Sequence, residues 1–195
     1  MVLNYIGLLT ISLVSFFIGA LLFQKYSKQK NQFTLIMALF FVLAGVGWFV
    51  WFLSTDLILG IFSEITEILV LMGLVPQVIL LVFVMAFYEV SLLIRILTII
   101  SVIILTLLHN FFPNYRILTI VSSVIIVSNI VLFILNWKRN NDIKSLGFSI
   151  GLICIFLGEA LISVSEMVQG IFLIIAAVIW FVTYTELLEK LTSKF

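Results

Sequence analysis

Read as seven hydrophobic spans, the chain places nine of its ten lysine and arginine residues on one side of a membrane. Lys25, Lys28, Lys30, Arg95, Lys138, Arg139, Lys144, Lys190 and Lys194 fall in alternate loops and the C-terminal tail, and Arg116 alone takes the other side. Basic loop residues are retained in the cytosol during insertion, so this bias predicts an N-terminus outside and a C-terminus in the cytosol. An even number of spans would put both termini on one side and destroy the sorting. The charges therefore constrain the span count as well as the orientation.

The spans read Val2–Phe23, Phe33–Leu53, Glu64–Tyr88, Leu92–Phe112, Ile117–Trp137, Ser145–Ser165 and Val168–Leu188. Each supplies the roughly 20 apolar residues needed to cross about 30 Å of hydrocarbon. A single helix from Leu57 to Tyr88 would be about 48 Å long, too long for one crossing, so Leu57–Ser63 is expected to form a short outer helix or interfacial loop. Trp48 and Trp51 are expected at the outer interface, and Pro113-Asn114 signals an outer turn. The first span lacks a preceding basic segment and its charges follow it, which predicts a retained helix and not a cleaved signal. The whole is expected to be one all-α, multi-pass domain spanning residues 1–195 in the plasma membrane. Spans 1–3 and 5–7 would form two three-helix halves joined by span 4, a 3+1+3 pseudo-repeat.

Composition narrows the function classes. With 64% hydrophobic and 10% charged residues, the chain has too little charge to clothe a soluble domain. A net charge of +1 gives no field to recruit nucleic acid. The single cysteine, Cys154, lies within a span and forms no redox pair. No lysine lies inside a span to carry a Schiff base. One histidine does not build a multi-histidine metal centre. The sequence holds no GxSxG elbow and no paired-aspartate motif. An enzyme is not expected, nor is a cofactor; the bilayer is the certain partner.

In lipid, helices associate through small residues and interhelical hydrogen bonds. Span 6 carries Gly147, Gly151, Cys154, Gly158 and Ser165 on one stripe. Span 5 carries Ser122, Asn129 and Asn136. Span 3 carries Ser63, Thr66, Gly73, Gln77 and Tyr88. These stripes are expected to face the bundle interior, either as packing or as a polar cavity, and Gly147 with Gly151 would alternatively form a homodimer seam. Pro76 removes the donor for the Met72 carbonyl in mid-span. Trp180 lies near mid-depth and needs a buried partner for its indole N–H. Glu159 is a deep carboxylate, which marks a functional candidate in a membrane. A ligand pocket bounded by spans 3, 5, 6 and 7 and lined by Gln77, Asn129, Glu159 and Trp180 follows. Glu64, Glu67, His109 and Glu166 are weaker candidates for a cation site with Glu159.

Two resemblances bear on function. Trp48 and Trp51 closing span 2, then Leu74-Val75-Pro76, then Phe83, Phe87 and Tyr88 resemble the seven-helix N-terminal region of many prokaryotic sensor histidine kinases. That likeness implies an outside N-terminus and signalling to a cytosolic output module, here expected to be a separate protein because the sequence reaches Phe195 without one. Pro76-Gln77 also resembles the PQ dipeptide of small transporters with three-plus-one-plus-three helices, although spans 5–7 contain no second proline. The expected function is a receptor-like sensor or accessory protein that binds a small or lipophilic ligand and acts through a membrane or cytosolic signalling partner. A small-solute transporter and a structural subunit of a membrane complex are the alternatives.

Overall fold

In a computed structural model, residues 2–55, 62–111, 116–162 and 164–185 are described, the side chains of 62–67, 110, 111 and 116 excepted. Among the described residues the chain forms seven helices and no strand: α1 (Val2–Gln29), α2 (Gln32–Ser54), α3 (Phe62–Phe87), α4 (Leu92–Phe111), α5 (Arg116–Asn140), α6 (Ile143–Leu161) and α7 (Glu166–Tyr184). All seven are long and apolar enough to cross a membrane, as expected of a multi-pass membrane protein. Most of the expected outer segment Leu57–Ser63, and the Pro113-Asn114 turn, lie outside the described residues. Ser63 itself belongs to α3.

The helices differ from the expected spans chiefly at their basic ends. α1 continues through Lys25 and Lys28 to Gln29, and α5 continues through Lys138 and Arg139. Lysine, arginine and glutamine are good helix formers, so the backbone keeps its own hydrogen bonds beyond the apolar stretch. The connections shrink accordingly to tight turns. Lys30, Glu89 and Asn141 each take a positive φ, of 53°, 57° and 50°. After α3 the Val90 amide donates to the Met85 carbonyl at 3.0 Å, a six-to-one closure with Glu89 in the left-handed position. Asn31 and Asp142 then cap α2 and α6, their side chains accepting from backbone amides of the first turn.

Six helices close a ring in the order α1, α2, α3, α5, α6, α7, and back to α1. Ser12 of α1 donates to the Gly45 carbonyl of α2 at 3.0 Å. Gly7 of α1 meets Gly170 of α7 backbone to backbone. Gly147 and Gly151 of α6 receive Thr183 and Trp180 of α7. Matched positions along these pairs make α1 and α2, and α6 and α7, antiparallel, whereas α1 and α7 run parallel. α3 and α5 also run parallel, joined by Asn129 to Gln77 and by Tyr88 to Leu132. α4 stands outside the ring against α3 and α5. Among its described side chains only His109 is buried. Val102 and Leu105 fasten it to a small apolar cluster of Leu74, Leu81, Val121 and Ile125.

The ring's centre is aromatic. Phe40, Phe41, Phe148 and Trp180 are all at most 2% exposed and pack mutually. Phe148 and Trp180 stack with ring planes 10° apart, while Phe41 meets Trp180 edge-on at 5.1 Å between centroids.

Candidate functional site: a cavity beside the aromatic layer

A cavity of about 470 Å³ opens between α2, α3, α5, α6 and α7, toward the end of the bundle where α1 begins. Phe40 and Trp180 form its floor. Its walls are built by local sequence. Gly47 and Gly73 withhold side chains where α2 and α3 face it, and a Cβ on Gly73 would meet nothing within 4 Å. Pro76 lacks an N–H, so the Met72 carbonyl is left without its usual donor one turn earlier. The helix nonetheless runs through Pro76 unbroken.

Of the four residues expected to line one pocket, Gln77, Glu159 and Trp180 do so. Asn129 stands behind them. It is fully buried, and its Nδ2 donates at 3.0 Å to both the backbone carbonyl and the Oε1 of Gln77. It thereby fixes the Gln77 amide and leaves only the other end of that amide open to the cavity. Trp180 presents a ring face only, because its indole N–H donates to the Phe148 carbonyl at 3.2 Å. Gly151 permits this by letting the indole lie directly against the α6 backbone.

Several expectations need correction. α2 is a full wall of the cavity, contributing Ala44, Gly47, Trp48 and Trp51, and was absent from the expected boundary of spans 3, 5, 6 and 7. Trp48 and Trp51 stack with centroids 5.5 Å apart and line the cavity, a position the interfacial expectation alone did not include. α6 ends at Leu161, four residues before the expected end at Ser165, so Glu159 sits in its last turn and is less deep than expected. Tyr88 is not part of the cavity; its hydroxyl donates to the Leu132 carbonyl at 3.1 Å, near the opposite end of α3. Asn136 likewise works elsewhere, donating to Ser145 at 2.6 Å across the α5–α6 turn. Gly147 and Gly151 are buried against α7 of the same chain, so the homodimer seam expected there is occupied within one molecule.

The expected cation cluster does not assemble among the described residues, where no group of three metal-ligating side chains occurs. His109 lies on α4, which makes no contact with α6 or α7. Glu166 is exposed at the start of α7 and does not line the cavity. The side chains of Glu64 and Glu67 lie outside the described residues.

Gln169 is the residue that sequence reasoning missed. It is fully buried, it lines the cavity, and neither its Oε1 nor its Nε2 has a hydrogen-bond partner. It sits against Gly158, the neighbour of Glu159, with a Gly158 Cβ position 3.7 Å from its Cα. The signal was available: a glutamine one turn inside an apolar helix has the same desolvation cost as the asparagine singled out on α5. The cavity wall thus combines a carboxyl group, a buried amide offering both a donor and an acceptor, and the hydroxyls of Thr119, Ser122 and Ser123 on α5. The remainder is apolar and aromatic. No protein-family model, characterised protein or solved structure matches the chain.

Proposed function

We propose that this cavity is a ligand site, and that the protein is a receptor-like or accessory membrane protein which binds a small, mostly apolar molecule and acts through a separate partner. Gln169 carries the reading. A buried amide without partners costs several kcal/mol in apolar surroundings, and a ligand bearing one donor and one acceptor removes that cost. Glu159, beside it, favours a ligand whose polar end is an amine or another hydrogen-bond donor. The aromatic layer below Trp180 closes the cavity toward the opposite end, which suits a sensor better than a continuous path. The basic residues support an N-terminus outside and the cavity facing outward, and the plasma membrane is the proposed location.

A transporter is the second reading, and two observations favour it. The ring order is unchanged when α1, α2 and α3 are exchanged with α5, α6 and α7, as a 3+1+3 pseudo-repeat requires, and a second cavity lies beyond the aromatic layer. The two readings separate on accessibility. In a Cys154→Ala background, Ser122→Cys is expected to react with an impermeant thiol reagent from the outer side only. Reaction from both sides would favour transport. Occupancy has an intrinsic reporter, because Trp48, Trp51 and Trp180 all line the cavity. A panel of small apolar amines is expected to change tryptophan emission saturably in the wild type and not in Glu159→Gln or Gln169→Leu. If no amine does so, the ligand reading of this cavity fails.

A further inference from the structure

Across the cavity from Glu159 the wall is aromatic, and helix register sets the two against each other. In the ring order α2 stands opposite α6, and the two run parallel. At the cavity floor they meet ring to ring, Phe40 to Phe148, at 5.3 Å between centroids. Eight residues further out along each helix stand Trp48 and Phe156, and eleven residues further out stand Trp51 and Glu159. Equal spacing gives equal rise, about 12 Å and about 16 Å above the floor. All four side chains line the cavity. Trp51 and Glu159 are therefore at one height on opposite walls, with Trp48 and Phe156 paired one turn below.

Trp48 and Trp51 stack with ring planes 14° apart, which makes one continuous indole wall. Below them the Trp180 N–H is spent on the Phe148 carbonyl, so that indole offers its face and not its donor. Aromatic faces carry the negative end of the ring quadrupole, and indole attracts a cation most strongly. A primary ammonium would bring three N–H groups that each need an acceptor. A methylated nitrogen carries the same charge on a surface that packs against rings. Glu159 supplies the opposite charge at the height of the indoles. Beside it, Gln169 packs against Gly158, and its buried amide presents a donor and an acceptor without partners. A single hydroxyl answers both, since it donates and accepts.

We infer that the cavity selects an N-methylated ammonium compound carrying a hydroxyl or amide a few bonds from the nitrogen. The nitrogen is held between the Trp48–Trp51 wall and Glu159, and the hydroxyl or amide sits on Gln169. This selectivity rests on the ligand reading of the cavity and adds to it the methyl groups and the second polar group. A volume of about 470 Å³ admits apolar substituents beyond the smallest member of the class, choline, which serves as the probe.

The purified full chain in neutral detergent is assayed with radiolabelled choline by scintillation proximity. Ethanolamine, tetramethylammonium and the neutral tert-butyl isostere of choline are measured by displacement. Choline is expected to bind about thirtyfold more tightly than its isostere, the equivalent of one desolvated cation–π contact. It is expected to bind about tenfold more tightly than tetramethylammonium, which leaves the Gln169 amide unanswered. It is also expected to bind more tightly than ethanolamine, which has no methyl groups. Trp48→Leu and Glu159→Gln are each expected to narrow the gap between choline and the isostere to about fivefold or less, while Trp48→Phe keeps most of it. The gap is a ratio within one variant, so a general loss of fold does not mimic its narrowing. An isostere as tight as choline, an undiminished gap in both Trp48→Leu and Glu159→Gln, or ethanolamine tighter than choline overturns the inference. A tryptophan-emission response to simple amines without binding of choline does the same, leaving the ligand site in place. Failure of choline and of every amine overturns both.

Discussion

Replacing Gly7 by alanine tests whether the ring is closed by backbone contact. A Cβ at Gly7 would come within 2.7 Å of the Gly170 carbonyl oxygen and 2.9 Å of its Cα. Ordinary contact begins at 3.4 Å, so α1 and α7 must move apart by about 0.7 Å. Both obstructing atoms are backbone, so no rotamer change relieves the clash. Overpacking of this kind costs about 1–3 kcal/mol, and the upper half of that range applies where nothing is free to rotate. Alanine's better helix propensity returns about 1 kcal/mol, leaving a net loss of roughly 1–2 kcal/mol. Gly73→Ala is the matched control, because its Cβ would enter open space and the same propensity term acts alone, stabilising by up to about 1 kcal/mol. The two substitutions are chemically identical and differ in sign. Reversible unfolding in mixed lipid–detergent micelles, titrated with sodium dodecyl sulfate and followed by tryptophan fluorescence, measures both. A Gly7→Ala protein as stable as Gly73→Ala would refute backbone closure of the α1–α7 seam.

Four further outcomes follow. Asn129→Leu should cost about 1–2 kcal/mol, as interhelical hydrogen bonds in membranes do, and more than Gln77→Leu, which leaves the bond to the Gln77 backbone carbonyl in place; equal costs in the same titration would place the energy elsewhere. Trp180→Phe should lose about 0.5–1.5 kcal/mol with its indole N–H, and an unchanged midpoint would show that the bond to the Phe148 carbonyl contributes nothing. Gln169→Leu should stabilise the ligand-free protein by about 1 kcal/mol or more, because it removes a buried amide without partners, while abolishing the response to amines; a loss of stability would mean the amide is satisfied. For orientation, single cysteines at Lys28 and Pro113 in a Cys154→Ala background should label from opposite sides of intact cells, and labelling of both from one side would sink the seven-span topology.

Element existence was legible in the sequence because each apolar run matches a membrane crossing and nothing else. Element ends were less so: Lys25, Lys28, Lys138 and Arg139 read as loop charges, yet a helix leaving hydrocarbon has no reason to stop while its residues favour helix. The polar members of the site were readable one by one, since Gln77, Asn129, Glu159 and Trp180 are each costly in lipid. Their division of labour was not. Whether an amide lines a void or braces a neighbour depends on which helices are adjacent, and a single sequence carries no term for adjacency. The same ignorance hid α2 as a wall, grouped His109 with Glu159 and Glu166 on helices that α4 does not touch, and offered Gly147 and Gly151 to a second molecule when Trp180 and Thr183 of the same chain already fill that face.

The parallel pairing of α3 with α5 sets a problem in routing. α3 finishes at the basic end, and α5 starts at the opposite end, so the polypeptide must travel the full length of the bundle before it resumes the ring. In a bilayer no irregular loop makes that journey, because its amides would go unsatisfied; only a helix serves. α4 is that return leg. It buries almost nothing because its task is transit and not support, and its outer residues answer to lipid alone. The ring is therefore divisible. A chain cut on either side of α4 yields two fragments that share the two ring seams, α1 with α7 and α3 with α5, and in addition the contact of α4 with α3 or with α5. Co-expressed fragments should reassemble into a working ring if α4 travels with either one.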